Sequence, residues 1–178
     1  MLLPQHSREN LRDVSIGKFA IPQNDGPKAF TNVIPDKYKL QVQASGGTGY
    51  VASAKLGDLD VLHGEFSIGG STAGELHVTI RGDSASVQGQ VTFKGQPAPG
   101  AQIYLVPASG EGGEIKASFG GAEGHYEIRG VPPGDYRIRA WTGSPTSKEI
   151  LSGSGETMTL QPSEQRTVSL EATASEQK

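Results

Sequence analysis

The sequence predicts an all-β protein made of two small antiparallel β-sandwiches in tandem, and three observations carry that prediction. Of 178 residues, 25 are Gly and 11 are Pro, and only Gln5 to Ile16 and Ser163 to Lys178 run longer than ten residues without either. An average helix has almost nowhere to form. Apolar residues instead alternate at period two along most of the chain, as strands with one buried face require. The stretch Ala29 to Val42 also reads like the stretch His125 to Ala140, so one pattern occurs twice.

The second half shows its elements in order. Val87, Gly89, Val91 and Phe93 alternate with Gln88, Gln90 and Thr92, which predicts a first strand. The turn Gly95-Gln96-Pro97-Ala98-Pro99-Gly100 follows, then strands over Ala101 to Val106, Glu114 to Phe119 and His125 to Arg129. Val131-Pro132-Pro133-Gly134-Asp135 forces a reversal, because Pro restricts the preceding Val131 to extended geometry and Gly134 can adopt positive φ. Tyr136, Ile138 and Ala140 then alternate with Arg137, Arg139 and Trp141, and strands at Thr157 to Leu160 and Thr167 to Ala172 close the count. About seven strands at this spacing describe a small sandwich.

The first half repeats the corner with Val33-Ile34-Pro35-Asp36-Lys37-Tyr38 and continues through strands at Gly49 to Leu56, Leu59 to Leu62, Glu65 to Ile68 and Glu75 to Ile80. Fewer residues precede the corner here, and their alternation is poor. Val14 and Ile16, with Phe19 to Ile21, offer one strand, so this sandwich is expected to be incomplete at its N-terminal side. Exposed edges of that kind invite pairing with another chain. The expected division is 1–83 for the incomplete sandwich, 84–174 for the complete one and 175–178 for a disordered tail. Two explanations of the shortfall compete: a fragment of a longer protein, which the sequence favours, or a neighbouring molecule that donates the missing strand.

Composition limits the function. A net charge of −3, near-balanced in both halves, lacks the clustered Lys and Arg of a nucleic-acid binder. No run approaches the roughly 18 to 20 apolar residues of a membrane span, and Met1 to Arg12 has no apolar segment of a signal peptide. With no Cys, disulfides and thiolate chemistry are excluded. Leu, Ile, Val and Phe make up about 21% of the chain, close to where disorder begins, so the cores are expected to be thin.

The segments VQGQVTFKGQPAPGAQIYLVP, GHYEIRGVPPGDYRIRAW and LQPSEQRTVSLEA, within Val87 to Leu170 and just beyond, resemble the carboxypeptidase regulatory-like domains of the transthyretin-like, carbohydrate-binding-like group of β-sandwiches. GYVASAKLGDLDVL and GELHVTI are similar to the end of a preceding domain of the same kind in bacterial secreted or envelope proteins. The resemblance implies tandem modules behind a signal peptide, hence a truncated chain and an extracellular or cell-envelope location. Some relatives form a Lys–Asn isopeptide bond, but the only Asn residues are Asn10, Asn24 and Asn32, so Lys94 has no such partner in its own domain.

Catalytic chemistry is scarce. His6, His63, His77 and His125 share no metal-ligand spacing, and no Ser sits in a G-x-S-x-G setting. Asp58 and Asp60 supply one carboxylate pair where calcium takes roughly six to eight oxygens, so a solvated turn is the better reading. Arg81-Gly82-Asp83 spells an integrin-type tripeptide at the expected domain junction, where chance accounts for it. Neither a catalytic residue nor a cofactor nor a metal is expected.

One surface merits weighing as a carbohydrate contact. Alternation places Arg137, Arg139 and Trp141 on one face, and Glu127 and Arg129 on the adjoining strand are expected to share it. An aromatic face stacks on sugar rings while Arg and Glu hydrogen-bond hydroxyls. The competing reading has the Trp tucked beneath the following loop, and the need of a thin core for its area favours that. The expected function is thus a non-enzymatic, extracytoplasmic spacer, display or interaction element with weak carbohydrate binding as an added role. The alternatives are a dedicated carbohydrate-binding module using the Trp141, Arg137 and Arg139 face, and a filament subunit completed by strand donation. Expected partners are polysaccharide, or neighbouring domains or subunits at the exposed edge of the first domain.

Overall fold

A computed structural model describes residues 2–4, 33–42, 49–69, 74–108, 114–152 and 155–175. The chain divides into two compact units, Met1–Gln43 with Val51–Ile80, and Ala44–Tyr50 with Arg81–Lys178. Both are β structures, as the Gly and Pro spacing predicts.

In the first unit, β1 (Leu2–Pro4), β2 (Asp36–Leu40), β3 (Tyr50–Leu56), β4 (Leu59–Asp60), β5 (Glu65–Ile68) and β6 (Leu76–Arg81) form two sheets, ordered β1-β2-β5 and β4-β3-β6. Tyr38, Leu40, Ala54, Val61 and Phe66 are its buried core, drawn from both sheets and the loop after β4. The polar N-terminal segment contains a strand the sequence did not suggest. Leu2 pairs opposite Leu40 and Pro4 opposite Tyr38. Val14, Ile16 and Phe19 to Ile21 lie outside the described residues, as does His6.

The second unit contains β7 (Ala85–Phe93), β8 (Gln96–Pro97), β9 (Gln102–Pro107), β10 (Lys116–Phe119), β11 (His125–Val131), β12 (Gly134–Thr142), helix α1 (Ser147–Leu151), β13 (Glu156–Leu160), β14 (Gln165–Thr167), β15 (Leu170–Glu171) and β16 (Thr173–Ala174). One sheet runs β10-β9-β12-β13, with β16 parallel to β12. The other runs β11-β7-β14, with β8 and β15 also on β7. Their inner faces enclose a continuous core that includes Val87, Val91, Ile103, Leu105, Ile128, Ile138 and Leu160. Each such side chain contributes roughly 1.5–3 kcal/mol by leaving water.

The alternation read from the sequence is the alternation of burial: Tyr126 and Ile128 point inward between exposed His125, Glu127 and Arg129. The last predicted strand is broken in two. Val168 interrupts it, its N–H donating to the Gln88 carbonyl at 2.8 Å. Its own carbonyl passes over Gly89, where a Cβ would sit 1.8 Å from it. Only Gly allows that approach, and the buried Tyr126 hydroxyl fixes the same carbonyl by donating to it at 2.8 Å.

Candidate interaction face

The Pro-rich corner decides which side chains can meet. Pro132 and Pro133 have no N–H for a ladder, and Gly134 has φ of 151°. The chain therefore leaves one sheet and enters the other: β11 pairs with β7, whereas β12 pairs with β9 and β13. Tyr136 locks the corner from inside, its hydroxyl donating to the Pro132 carbonyl at 2.8 Å. Burial, and then the Glu114 charge, push its pKa up to about 12. In the first unit Tyr38 donates to the Ile34 carbonyl at 2.7 Å, across the same four-residue interval. Two buried tyrosines thus latch the two Pro corners alike.

This corner corrects the expected carbohydrate face. Glu127 and Arg129 do not share a surface with Arg137, Arg139 and Trp141, because the two strands belong to different sheets and their outward residues face opposite ways. Period-two alternation gives the side of a strand and not the sheet that strand joins. Glu127 and Arg129 instead pair with each other at 2.6 Å on an exposed face. The Arg129 guanidinium beside it holds the Glu127 carboxyl below the usual range.

Trp141 faces outward from β12 yet is only 2% exposed. Its ring meets Tyr104 edge-on at 5.9 Å, and the Arg139 guanidinium lies 4.6 Å from its ring centre. The segment after it forms α1, whose Ile150 lines a small recess with Tyr104, Val106 and Trp141. Arg137 Nη2 donates to the Leu151 carbonyl at 3.3 Å, tying the helix to the strand. The ring is thus packed beneath the following loop, and the stacking platform it offered in sequence is covered. Phe119 is the exposed aromatic of this sheet at 65%; it lies opposite Gln102, which in turn lies opposite Trp141.

Helix α1 was missed because five residues are too few for a periodic pattern. Its signal was local: Thr146 Oγ1 accepts from the Glu149 N–H at 3.3 Å, and Glu149 Oε2 accepts from the Thr146 N–H at 2.7 Å. This is a capping box, spelled Thr-Ser-Lys-Glu.

The remaining candidates resolve into local structure. Asp58 lies in a turn beside Gly57, whose φ is 59°, while Asp60 ends β4 and its Oδ1 accepts from the Leu62 N–H at 2.9 Å. Arg81 and Asp83 pair with each other, and that contact holds the Asp83 carboxyl below its ordinary range. His77 lies 3.4 Å from Glu75, and His125 lies 3.7 Å from Glu123, both on the surface. Lys94 stands over the Phe93 ring at 5.3 Å.

Two carboxylates that drew no attention in the sequence hold the second unit's turns. Glu171 accepts from Thr92 Oγ1 at 2.5 Å and from the Lys94 N–H at 2.6 Å, bonds that lower its pKa, the Thr92 bond most. Glu164 accepts from the Gln161 N–H at 2.7 Å and from Arg166, and these lower its pKa likewise. Glu171 bridges 77 residues of sequence to Lys94, a distance no local pattern reports. Beside it an open groove of about 400 Å³ lies where β12 passes from β13 to β16, lined by Arg139, Glu156, Ser169 and Thr173. Thr173 Oγ1 donates to the Ala140 carbonyl there at 3.4 Å.

Residues 86–173 match the family model of the carboxypeptidase regulatory-like domain. No curated protein matches the sequence. Among solved structures, a DUF3823-family protein from Parabacteroides merdae is 21% identical with a TM-score of 0.34, over 49% of this chain and 45% of that one. The minor pilin of Streptococcus agalactiae is 16% identical with a TM-score of 0.39, over 85% of this chain and 65% of that one. The major pilin subunit of Bacillus cereus is 14% identical with a TM-score of 0.32, over 61% of this chain and 32% of that one. The chain thus spans less than two thirds of each of these proteins. Gly89, the Val131 to Tyr136 corner, β12 and all of β7 but Ala85 lie inside the segment, residues 86–173, that matches the carboxypeptidase regulatory-like domain.

Proposed function

We propose that the protein is a non-enzymatic, extracytoplasmic β-sandwich element that acts as a spacer or display segment, built from two modules of related design. The observation that carries this reading is the paired corner latch, Tyr38 to Ile34 and Tyr136 to Pro132, which supports a tandem of like units at 1–83 and 84–174. The family match over 86–173 supports a regulatory-like rather than a catalytic role for the second unit. The large aromatic and the perturbed carboxylates of that unit are spent on holding the fold: Trp141 beneath α1, Glu171 and Glu164 on turns. Such a module works by rigidity and by keeping attached parts at a distance.

Two measurements test the reading. Antibody raised against this chain is expected to label intact cells of the source organism, and labelling only after lysis would defeat the extracytoplasmic part. A glycan array is expected to retain the protein weakly or not at all; strong retention would favour the carbohydrate-binding alternative. The exposed Phe119, with Gln102 beside it and Arg137 and Arg139 on the same sheet face, supports that second reading better than Trp141 does. Strong retention abolished by Phe119→Ala, with the fold intact by circular dichroism, would establish it.

A further inference from the structure

The last strand of the first unit, β6, lies at the end of its sheet order, with β3 as its strand neighbour among the described residues. Leu76 packs partly against the core, but Val78 and Ile80, in phase with it, are 36% and 53% exposed. The Glu75 carbonyl accepts from the Gly57 N–H at 3.2 Å and so faces the sheet interior. Because successive residues of a strand direct their backbone groups to alternate sides, the N–H and C=O groups of Leu76, Val78 and Ile80 face outward. An edge with no strand partner among the described residues and with apolar side chains is a template for another strand.

We propose that the occupant of this edge is β6 of a second copy, paired antiparallel about a two-fold axis through Val78. In that register Val78 lies opposite Val78 of the second copy, and Leu76 lies opposite Ile80, so apolar residues meet on one face. His77 lies opposite Thr79, and Glu75 lies opposite Arg81, on the other. The second of these matches decides the occupant. Arg81 holds Asp83 through Nε and Nη2 and has Nη1 left for a second carboxylate, so the two-fold axis generates a Glu75–Arg81 contact twice, and opposite charges placed directly across a ladder attract. A shift of one residue in register would set Leu76 opposite Arg81 and put apolar and polar side chains on the same face. The outward backbone groups fall in the pairs that exchange hydrogen bonds, so three residues of each copy become satisfied together. The spacer reading holds for a monomer and a dimer alike, so this inference stands or falls apart from it.

Sedimentation equilibrium up to about 0.5 mM tests the pairing, a range chosen because interfaces below about 1,200 Å² are weak. A reversible monomer–dimer equilibrium is expected. Val78→Pro removes an outward N–H while sparing the groups that face β3, as Pro on an edge strand does, and is expected to give a folded monomer. Glu75→Arg sets like charges across the axis twice and is expected to weaken the dimer by about tenfold. A wild-type chain that stays monomeric throughout, an open-ended series of larger species, or a dimer indifferent to Val78→Pro and to Glu75→Arg would each overturn the proposal.

Discussion

The two units share a corner and differ in what stands behind it. Each turns at a Pro, and each secures the turn with a buried Tyr hydroxyl donated four residues back. The second unit closes two sheets over a core that runs from Ala85 to Ala172, whereas the described part of the first gathers five buried residues, Tyr38, Leu40, Ala54, Val61 and Phe66. Both leave large apolar residues exposed, Ile34, Leu59, Val78 and Ile80 in the first and Ile115, Phe119 and Leu151 in the second. A corner is therefore a local device that folds with few partners, while the depth of the core depends on how many strands cover it.

Five substitutions break that comparison, in descending order of effect. Trp141 is the only Trp of the chain, so its fluorescence during denaturant unfolding reports the second unit alone. Leu105→Ala, at a fully buried position, is expected to lower that unit's stability by about 4 kcal/mol, since it opens a cavity between two close-packed sheets. Gly89→Ala is expected to cost about 3 kcal/mol, because the new Cβ meets the Val168 carbonyl and the β14 to β15 crossing must move. An unchanged midpoint for Gly89→Ala would show that the crossing is loose.

Removing the corner latch should act on both units by similar amounts. Tyr136→Phe and Tyr38→Phe each delete one hydroxyl donor and are expected to cost about 1 kcal/mol. Fluorescence reads the first variant, and amide hydrogen exchange at β2 and β5 reads the second. A large effect in one unit and none in the other would separate the corners as devices.

The smallest effect is that of acid on the second unit. Glu171 and Glu164 have folded pKa values below their ordinary 4.5, so the unfolded chain binds their protons first. Their contribution is present in full above about pH 5 and fades as pH falls through 4.5 toward the lower folded values. Glu171→Gln keeps much of the shape and is expected to flatten this acid limb. A midpoint falling just as steeply between about pH 5 and 3 in Glu171→Gln would assign the acid lability to other groups.

Much of the architecture could be read in advance. The strands at Glu65 to Ile68, His125 to Arg129 and Thr157 to Leu160 lie where the alternation places them, to within a few residues at their ends. The Pro corner and the inward Tyr136 were legible for the same reason: backbone restriction and side-chain phase are written in neighbouring residues. The assignment of β11 and β12 to separate sheets was not legible, and the proposed face of Glu127, Arg129, Arg137, Arg139 and Trp141 came apart on it. Glu171 escaped notice because its partners, Thr92 and Lys94, lie in a distant strand and turn.

By itself, then, the sequence determined most of the strands, which of their residues face inward and where the chain must turn at the Pro corners, since these follow from torsional limits and from a period of two. Only the tertiary structure decided which sheet each strand enters, that α1 closes over Trp141, that Val168 crosses Gly89, and that β6 keeps an apolar edge. Those outcomes depend on contacts between residues far apart in the chain, where packing and backbone pairing choose among partners that the local pattern leaves equal.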